Sequence, residues 1–194
     1  MRAPIQPSMS APTQSVRAGD IAFARMEKVS SELVAITYGA LVSQLLQGKQ
    51  DAEAIHADLD RIGHNMGTRL VDEFLAKSGS ATPCQSFKES LEVLSRVGVK
   101  MFLGIDSELT EVSSNSFLLS FPENPLNDFV ELPPHLKGSK FSYSALYCGI
   151  LRGAFEQLHM RVACEYVKDT LRGDDTNAIK IDLVSIIRPE EDDN

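Results

Sequence analysis

The sequence lacks two features that define large classes of protein. No apolar run approaches the roughly 18 to 20 residues that a membrane-spanning helix requires, and the N-terminal region has no apolar segment typical of a secretory signal. Clusters of lysine and arginine are absent as well, and the net charge is -8. Since binding to a nucleic acid depends on neutralising its phosphates, we expect no nucleic-acid partner, and basic partners are favoured. Any membrane contact is expected to be peripheral.

Cysteine is scarce, and the three cysteines are not paired by spacing. Cys84, Cys148 and Cys164 form no CxxC pattern, and no glycosylation sequon occurs, which favours a reducing, cytosolic compartment. Common dinucleotide, phosphate, zinc and hydrolase motifs are absent. The four histidines lack the spacing that places two metal ligands on one helix face. We therefore predict neither a metal site nor a bound cofactor.

Four segments carry apolar residues at the three- and four-residue spacing of an amphipathic helix. They cover about 30–48, 51–77, 84–104 and 142–158, the last with Ser142 or Ser144 as its cap. The first is apolar on more than one face, as expected for a helix that contacts the core and a partner. On the second, Gly63 and Gly67 lie four residues apart. Each glycine costs a helix about 1 kcal/mol relative to alanine, so the pair indicates either close approach by another helix or a weakened stretch.

Two further regions alternate apolar and polar residues with the period of two that is typical of strands. They cover 109–121, with a turn at 113–115, and 160–183, with a turn at 173–177. Residues 1–28 contain three prolines and no sustained periodicity, so we expect a disordered N-terminal extension. Residues 188–194 form an acidic tail. This leaves 29–187 as a single domain of the α/β (α+β) class.

The position of Cys84 in the sequence suggests a reactive thiol. The segment 82–87 is typical of a break in the chain followed at once by the first turn of a helix, where backbone N–H groups and the helix dipole favour a thiolate. Gly98 follows fourteen residues later, about four helical turns, so both residues lie near one side of the helix. The pattern is compatible with S-acylation of Cys84. Burying a C16 chain along this helix is worth on the order of 10 kcal/mol.

Two other interpretations of this cysteine remain open. A thiol enzyme such as a thioesterase would need a histidine beside Cys84, and the sequence permits His135 or His159, although no local cysteine-enzyme signature occurs. A soluble lipid-binding or acyl-carrying module would need no such partner. Cys148 and Cys164 lie within apolar patterns, and we expect them to be packing residues.

Six segments resemble, in the same order, the Bet-three type small core subunits of TRAPP, the transport protein particle. They are SSEL at 30–33, TYGALV at 37–42, RLVDEFLA at 69–76, FVELP at 129–133, CGILRGA at 148–154 and VKDTL at 167–171. The resemblance extends over about 28–187 and implies helices packed on one side of a twisted, four-stranded antiparallel sheet. This is the fold shared by TRAPP small subunits and ligand-binding proteins of NO signalling.

The resemblance also implies a function. It is that of a non-enzymatic core subunit of a vesicle-tethering complex between the endoplasmic reticulum and the Golgi, cytoplasmic and peripheral to those membranes. Small subunits of this family pair side by side, so we expect other small TRAPP subunits as partners through the first two helices, or a homodimer in isolation. The assembled complex implies contact with a Rab GTPase, whose nucleotide exchange it promotes, and with the COPII coat.

Family members carry a palmitoylated cysteine at the position that matches Cys84, with the acyl chain in a buried tunnel. By this resemblance Gly98 is a small residue that lines the tunnel, and we expect Leu94 and Met101 on the same helix to line it too. Pro83 is a departure, because the best-known members have a basic residue immediately before the cysteine.

Overall fold

The computed structural model describes residues 14–48, 51–79, 84–137 and 139–187. Its helices are α1 (Gln14–Arg25), α2 (Ser31–Gly48), α3 (Ala52–Lys77), α4 (Phe87–Val93), α5 (Val99–Leu103), α6 (Pro134–Lys137) and α7 (Leu146–Gln157). A π-helical segment, Leu94–Gly98, joins α4 to α5, and short 3-10 helices occupy Pro125–Asn127 and Thr170–Arg172. None of the described helices has the length and the apolar character that crossing a bilayer would demand.

Four strands in the described ranges form one antiparallel sheet in the order β1-β2-β4-β3. They are β1 (Glu108–Ser113), β2 (Ser116–Phe121), β3 (Met160–Lys168) and β4 (Asn177–Ile186). In the central pair, Phe117 lies opposite Ile181 and Leu119 opposite Ile179, and all four side chains are buried. Alternate residues of these strands therefore form the core with the helices. The predicted architecture, helices on one side of a four-stranded antiparallel sheet, is confirmed.

Helices α3 and α7 cross with their backbones in contact. Gly63 and Gly67 of α3 face α7, and Gly149 and Gly153 of α7 face α3. A Cβ atom added at any of these four positions would lie 2.1–2.3 Å from a backbone carbonyl oxygen of the facing helix, a distance that no side chain tolerates. The close helix approach indicated by the first glycine pair is thus confirmed, and its partner is the second pair within the same chain.

Phe87, the first residue of α4, connects that helix to the sheet and to α7. Its ring makes edge-to-face contacts with Phe117 of β2, at 5.6 Å between ring centroids, and with Phe155 of α7, at 5.7 Å. All three side chains are buried. Such aromatic pairs add to the free energy of apolar burial and restrict the orientation of the rings. The start of α4 therefore has a defined position in the core.

Helix α1 corrects the expectation of a disordered N-terminal extension, which is wrong for residues 14–25. This helix lies against the π-helical segment and α5, with Gly19 and Ala22 buried in the contact. A Cβ atom at Gly19 would lie 2.4 Å from a carbonyl oxygen of the π-helical segment. Small residues thus permit close packing where a stripe of large apolar residues is missing. Residues 1–13 and the acidic tail at 188–194 lie outside the described residues.

The start of α7 also differs from the prediction. Neither Ser142 nor Ser144 caps the helix through its side chain, since Ala145 occupies the capping position. The Ser144 hydroxyl is instead part of a buried polar network, in which it accepts a hydrogen bond from Asn124 Nδ2 at 2.8 Å. The Tyr147 hydroxyl of α7 donates to Asn124 Oδ1 at 3.1 Å. Asn124 therefore ties the loop after β2 to α7.

The glycine crossing predicts that substitution by alanine destabilises the protein at Gly67 but not at Gly48. We expect Gly67→Ala to lower the free energy of unfolding by roughly 2 kcal/mol or more, because its methyl group would displace the Ile150 carbonyl, 2.1 Å away. Gly48→Ala is the matched control, since a Cβ atom there meets nothing within 4 Å. It should be neutral or stabilise by up to about 1 kcal/mol. Urea unfolding measures both, and equal stability of the two variants would contradict the crossing.

Candidate functional site

Cys84 lies two residues before the cap of α4 and not in its first turn, which corrects the predicted position. Ser86 is the N-cap, and its hydroxyl accepts a hydrogen bond from Glu89 N at 3.2 Å. The Glu89 carboxylate accepts from Gln85 N at 2.7 Å. These two side chains form a variant of the capping box, and the Glu89 charge meets the positive end of the helix dipole. The dipole argument for a reactive thiolate therefore loses its basis, and the half-buried Cys84 is left as an accessible thiol.

The π-helical segment changes the relation between Cys84 and Gly98. Val99 N donates to Leu94 O, five residues back, so this turn is wider than an α-helical turn. With Cys84 outside the helix and a wide turn before Gly98, the count of four regular turns is wrong. Such π-helical turns often occur at functional sites because they redirect side chains.

Of the three residues expected to line an acyl tunnel, none is exposed. Gly98 and Met101 are buried, and Leu94 is packed against the core. A Cβ atom at Gly98 would lie 3.3 Å from Leu94 Cδ1, so the Leu94 side chain occupies the space that the glycine leaves. A chain that entered here would displace the Leu94 side chain. Their role as tunnel lining stays a prediction, and Pro83 lies outside the described residues.

Cys148 and Cys164 contrast with Cys84. Both pack against the core, one on α7 and the other on β3. Burial raises the pKa of Cys148 to about 12 and also raises the pKa of Cys164. Since the thiolate is the reactive form, both thiols are inert at neutral pH. Their prediction as packing residues is confirmed.

The histidines considered as catalytic partners are both exposed. His135 lies on the short α6, and His159 lies in the turn between α7 and β3. Among the described residues, the histidine side chains that take part in hydrogen bonds are those of His56 and His64, not those of His135 or His159. Within the same ranges, no group of three or more His, Cys, Asp or Glu residues could hold a metal ion.

A polar pocket of about 400 Å³ lies beside the end of β3, and sequence reasoning did not identify it. Its lining includes Lys137, Ser142, Tyr166, Asp169, Arg172 and Asp174. Asp169 is only 3% exposed, and its Oδ1 accepts from Leu171 N at 2.9 Å as the cap of the 3-10 helix. Burial raises the pKa of this carboxyl. Asp169 Oδ2 and Ser142 Oγ are both buried and have no hydrogen-bond partner in the described ranges.

The pocket left only a partial signal in the sequence. Asp169 precedes a short apolar stretch and Gly173, a pattern that indicates a capped turn. The pattern does not show which oxygen of the carboxylate remains unpaired. Nor does it show that Ser142, far away in sequence, lies in the same pocket.

His56 is a second polar group that sequence reasoning missed. Its Nε2 accepts a hydrogen bond from Ser142 N at 2.8 Å, and its ring stacks on Phe141 at 5.7 Å between centroids. Burial lowers the pKa of His56 below its ordinary value of 6.5. A ring nitrogen that accepts a hydrogen bond must be unprotonated, so the folded chain requires neutral His56. This contact holds the loop before α7 against α3.

Helix α2 presents apolar side chains to solvent on the face opposite its core contacts. Ala35, Tyr38 and Val42 are buried, whereas Leu33 and Ile36 are 63% and 62% exposed. Val29 just before α2, Val34 within it, and Met66 and Leu75 of α3 are exposed as well. The prediction from the sequence that the helix at about 30–48, which is α2, is apolar on more than one face is confirmed. Exposed apolar side chains on a helix that also packs on the core are typical of a protein–protein contact.

Comparison with known proteins identifies close relatives. A family model described as transport protein particle (TRAPP) component matches residues 34–182. The trafficking protein particle complex subunit 3 of Dictyostelium discoideum is 44% identical over 171 residues, which are 87% of this chain and 91% of that protein. The trafficking protein particle complex subunit BET3 of Saccharomyces cerevisiae is 39% identical over 170 residues, 86% of either chain.

A solved structure extends the comparison to three dimensions. It is the trafficking protein particle complex subunit 3 from Naegleria fowleri, covalently bound to palmitic acid. That protein is 46% identical, with a TM-score of 0.80, and the similarity covers 84% of this chain and all of that chain. The helices and the sheet described above are therefore those of a trafficking protein particle subunit.

The His56 contact predicts a pH dependence of stability. In the folded chain the pKa of His56 is depressed, so the unfolded chain binds the proton more readily. The contribution of His56 is therefore complete above pH 6.5 and is lost as the pH falls below 6.5. His56→Gln should flatten the pH profile of the urea midpoint in this range. The exposed His135→Gln is the control, and a profile that changes equally in both variants would contradict the role of His56.

Proposed function

The chain belongs to the transport protein particle (TRAPP) component family, and on that premise we propose that it is a core subunit of the TRAPP vesicle-tethering complex. It acts in transport between the endoplasmic reticulum and the Golgi, as a cytoplasmic protein peripheral to those membranes. One observation carries this proposal, the 44% identity to a trafficking protein particle complex subunit 3 over 91% of that subunit's length. Similarity over nearly the whole subunit supports a shared place in the complex.

The subunit pairs with other small TRAPP subunits through α2 and α3. Support comes from the exposed apolar side chains of α2, among which Leu33 and Ile36 follow a helical spacing of three residues. In isolation the same surface favours a homodimer. Through the assembled complex, the subunit contributes to nucleotide exchange on a Rab GTPase and meets the COPII coat, as the family resemblance implies.

Cys84 carries a covalently attached palmitoyl chain. This part of the proposal is supported by the palmitate bound to the 46% identical subunit from Naegleria fowleri and by the half-buried thiol of Cys84 two residues before the cap of α4. Transfer from an acyl thioester forms the bond between Sγ and the acyl carbon and breaks the bond between that carbon and the donor sulfur, and the proton lost by the cysteine ends on the released donor thiol. The chain lies along the core side of the helix, where Leu94 turns aside and Gly98 and Met101 form the wall.

The subunit has no catalytic role of its own and no cofactor beyond the acyl chain. The thioesterase alternative requires a histidine positioned at Cys84, and the exposed positions of His135 and His159 give it no support. The alternative of an independent lipid-carrying module leaves the exposed apolar surface of α2 without a purpose.

Acylation is tested by intact-mass spectrometry of freshly purified full-length protein. We expect a mass increase equal to one palmitoyl group that hydroxylamine removes, because hydroxylamine cleaves thioesters. Cys84→Ser should abolish the increase. Cys148→Ser is the control and should retain it, since burial keeps that thiol protonated. An unshifted mass in the native protein, or a shift that persists in Cys84→Ser, would contradict acylation at this residue.

Pairing is tested by co-expression with another small TRAPP subunit. We expect Ile36→Glu to weaken the complex by about 30-fold or more, because burying a charge in an apolar contact costs roughly 2 kcal/mol or more. Val184→Glu on β4, a residue with the similar exposure of 61%, is the matched control and should not change the affinity. Isothermal titration of the purified subunits measures both, and full affinity of Ile36→Glu would rule out α2 as the contact.

A further inference from the structure

The loop after β2 carries the most exposed large apolar side chain in the part of the chain that the structure describes. Phe129 opens the FVELP segment at 129–133 and is 77% exposed. Exposure alone decides little, because single apolar residues are common on protein surfaces. The backbone gives a second, independent observation. The φ angle of Phe129 is 65°, in the left-handed region that bulky side chains avoid.

Phe129 occupies the third position of a type II turn, which glycine normally takes. Asp128 before it has φ -60° and ψ 133°, and Val130 N donates a hydrogen bond to Asn127 O at 3.1 Å. These angles and this hydrogen bond are those of a type II turn. A phenylalanine in this conformation is strained, whereas a glycine is not. The fold itself therefore gives no reason for phenylalanine at this position.

The turn is fixed to the core on both sides. Leu126 before it and Leu132 after it are 6% and 4% exposed. Leu126 N also donates a hydrogen bond to Oδ1 of the buried Asn124, at 3.0 Å. The loop backbone is thus held in place while the ring of Phe129 meets solvent. Strained residues persist where the surrounding structure holds them, and they concentrate at functional sites.

The charges of the loop indicate what kind of surface the ring contacts. Residues 122–134 include Glu123, Asp128 and Glu131 but no lysine or arginine. All three carboxylates belong to exposed residues, and their one ion pair in the described ranges is a 4.0 Å contact of Glu131 with Lys137. Such a surface pair contributes little. The acidic loop repels an anionic lipid surface, and it repels a second copy of this chain with its net charge of -8.

We propose that Phe129 inserts into an apolar pocket of a partner protein, and that lysine and arginine side chains border this pocket. An aromatic side chain that becomes buried within a polar rim is the usual centre of a protein–protein contact. The three acidic side chains of the loop supply that rim and accelerate association with a basic surface. This contact goes beyond the pairing through α2 and does not depend on it.

The direct test replaces Phe129 by the photo-reactive amino acid benzoylphenylalanine in the full-length protein in cells. We expect one discrete adduct with a partner protein, joined to a segment that contains lysine or arginine and identified by mass spectrometry. Replacement of Val112 is the matched control, since Val112 is 59% exposed but lies at the far end of the β1–β2 hairpin. It should not give this adduct. An adduct with lipid or with a second copy, or no adduct at position 129, would overturn the proposal.

Isothermal titration of the purified partner then measures the contribution of the ring. Phe129→Gly should weaken binding by about 30-fold or more, because loss of a central aromatic anchor is among the largest effects at an interface. It should not lower the urea midpoint, since glycine suits the turn. His159→Gly is the control, because His159 also has a positive φ, of 57°, and its affinity should be unchanged. Full affinity of Phe129→Gly would overturn the proposal.

The charge of the loop is tested by reversal. Asp128→Lys should weaken binding by about threefold or more at low salt and have a smaller effect at high salt, because salt screens exposed charges. Glu108→Lys, which changes an exposed acid on β1 in the same way, should leave the affinity unchanged. An equal effect of the two reversals would contradict a basic border around the pocket.

Discussion

The backbone contact between α3 and α7 is the constraint on which the rest of the structure depends. Four glycines remove every side chain from the crossing, so carbonyl oxygens of one helix lie against Cα atoms of the other. Helix α7 also packs on β3, and it carries Phe155 onto Phe87 at the first residue of α4. The glycine crossing sets the position of α7, and the contact of Phe155 with Phe87 then sets the position of the start of α4. Because Cys84 lies three residues before Phe87, its position depends on the crossing as well. A side chain at the crossing would separate α7 from α3 and disturb this chain of contacts.

The fold keeps three regions apart. The core side of the π-helical segment, with Gly98 and Leu94, faces the interior and suits an acyl chain. Helix α2 buries Tyr38 on one face and exposes Leu33 on the other, so one helix packs on the core and leaves an apolar face for the proposed neighbouring subunit. The polar pocket with Asp169 lies at the end of β3. No two of these regions share a residue.

Hydrophobic periodicity predicted α2, α3, α7 and the strands, because burial repeats with the geometry of each element. It missed α1, whose contact depends on the small residues Gly19 and Ala22 and not on large apolar ones. The π-helical turn was hidden because one extra residue only shifts the phase of the pattern. The cap at Ser86 was visible as a serine three residues before Glu89 and could have corrected the position of Cys84. The polar pocket needs contacts between distant segments, which periodicity does not describe.

The central claim is that this chain works as a subunit of a TRAPP complex. The most direct measurement is purification of the tagged full-length protein from cell extract, followed by size-exclusion chromatography and mass spectrometry of the co-eluting proteins. We expect elution in a complex that contains other small TRAPP subunits in stoichiometric amounts. Recovery of the protein as a free monomer, with no such subunit bound, would contradict it.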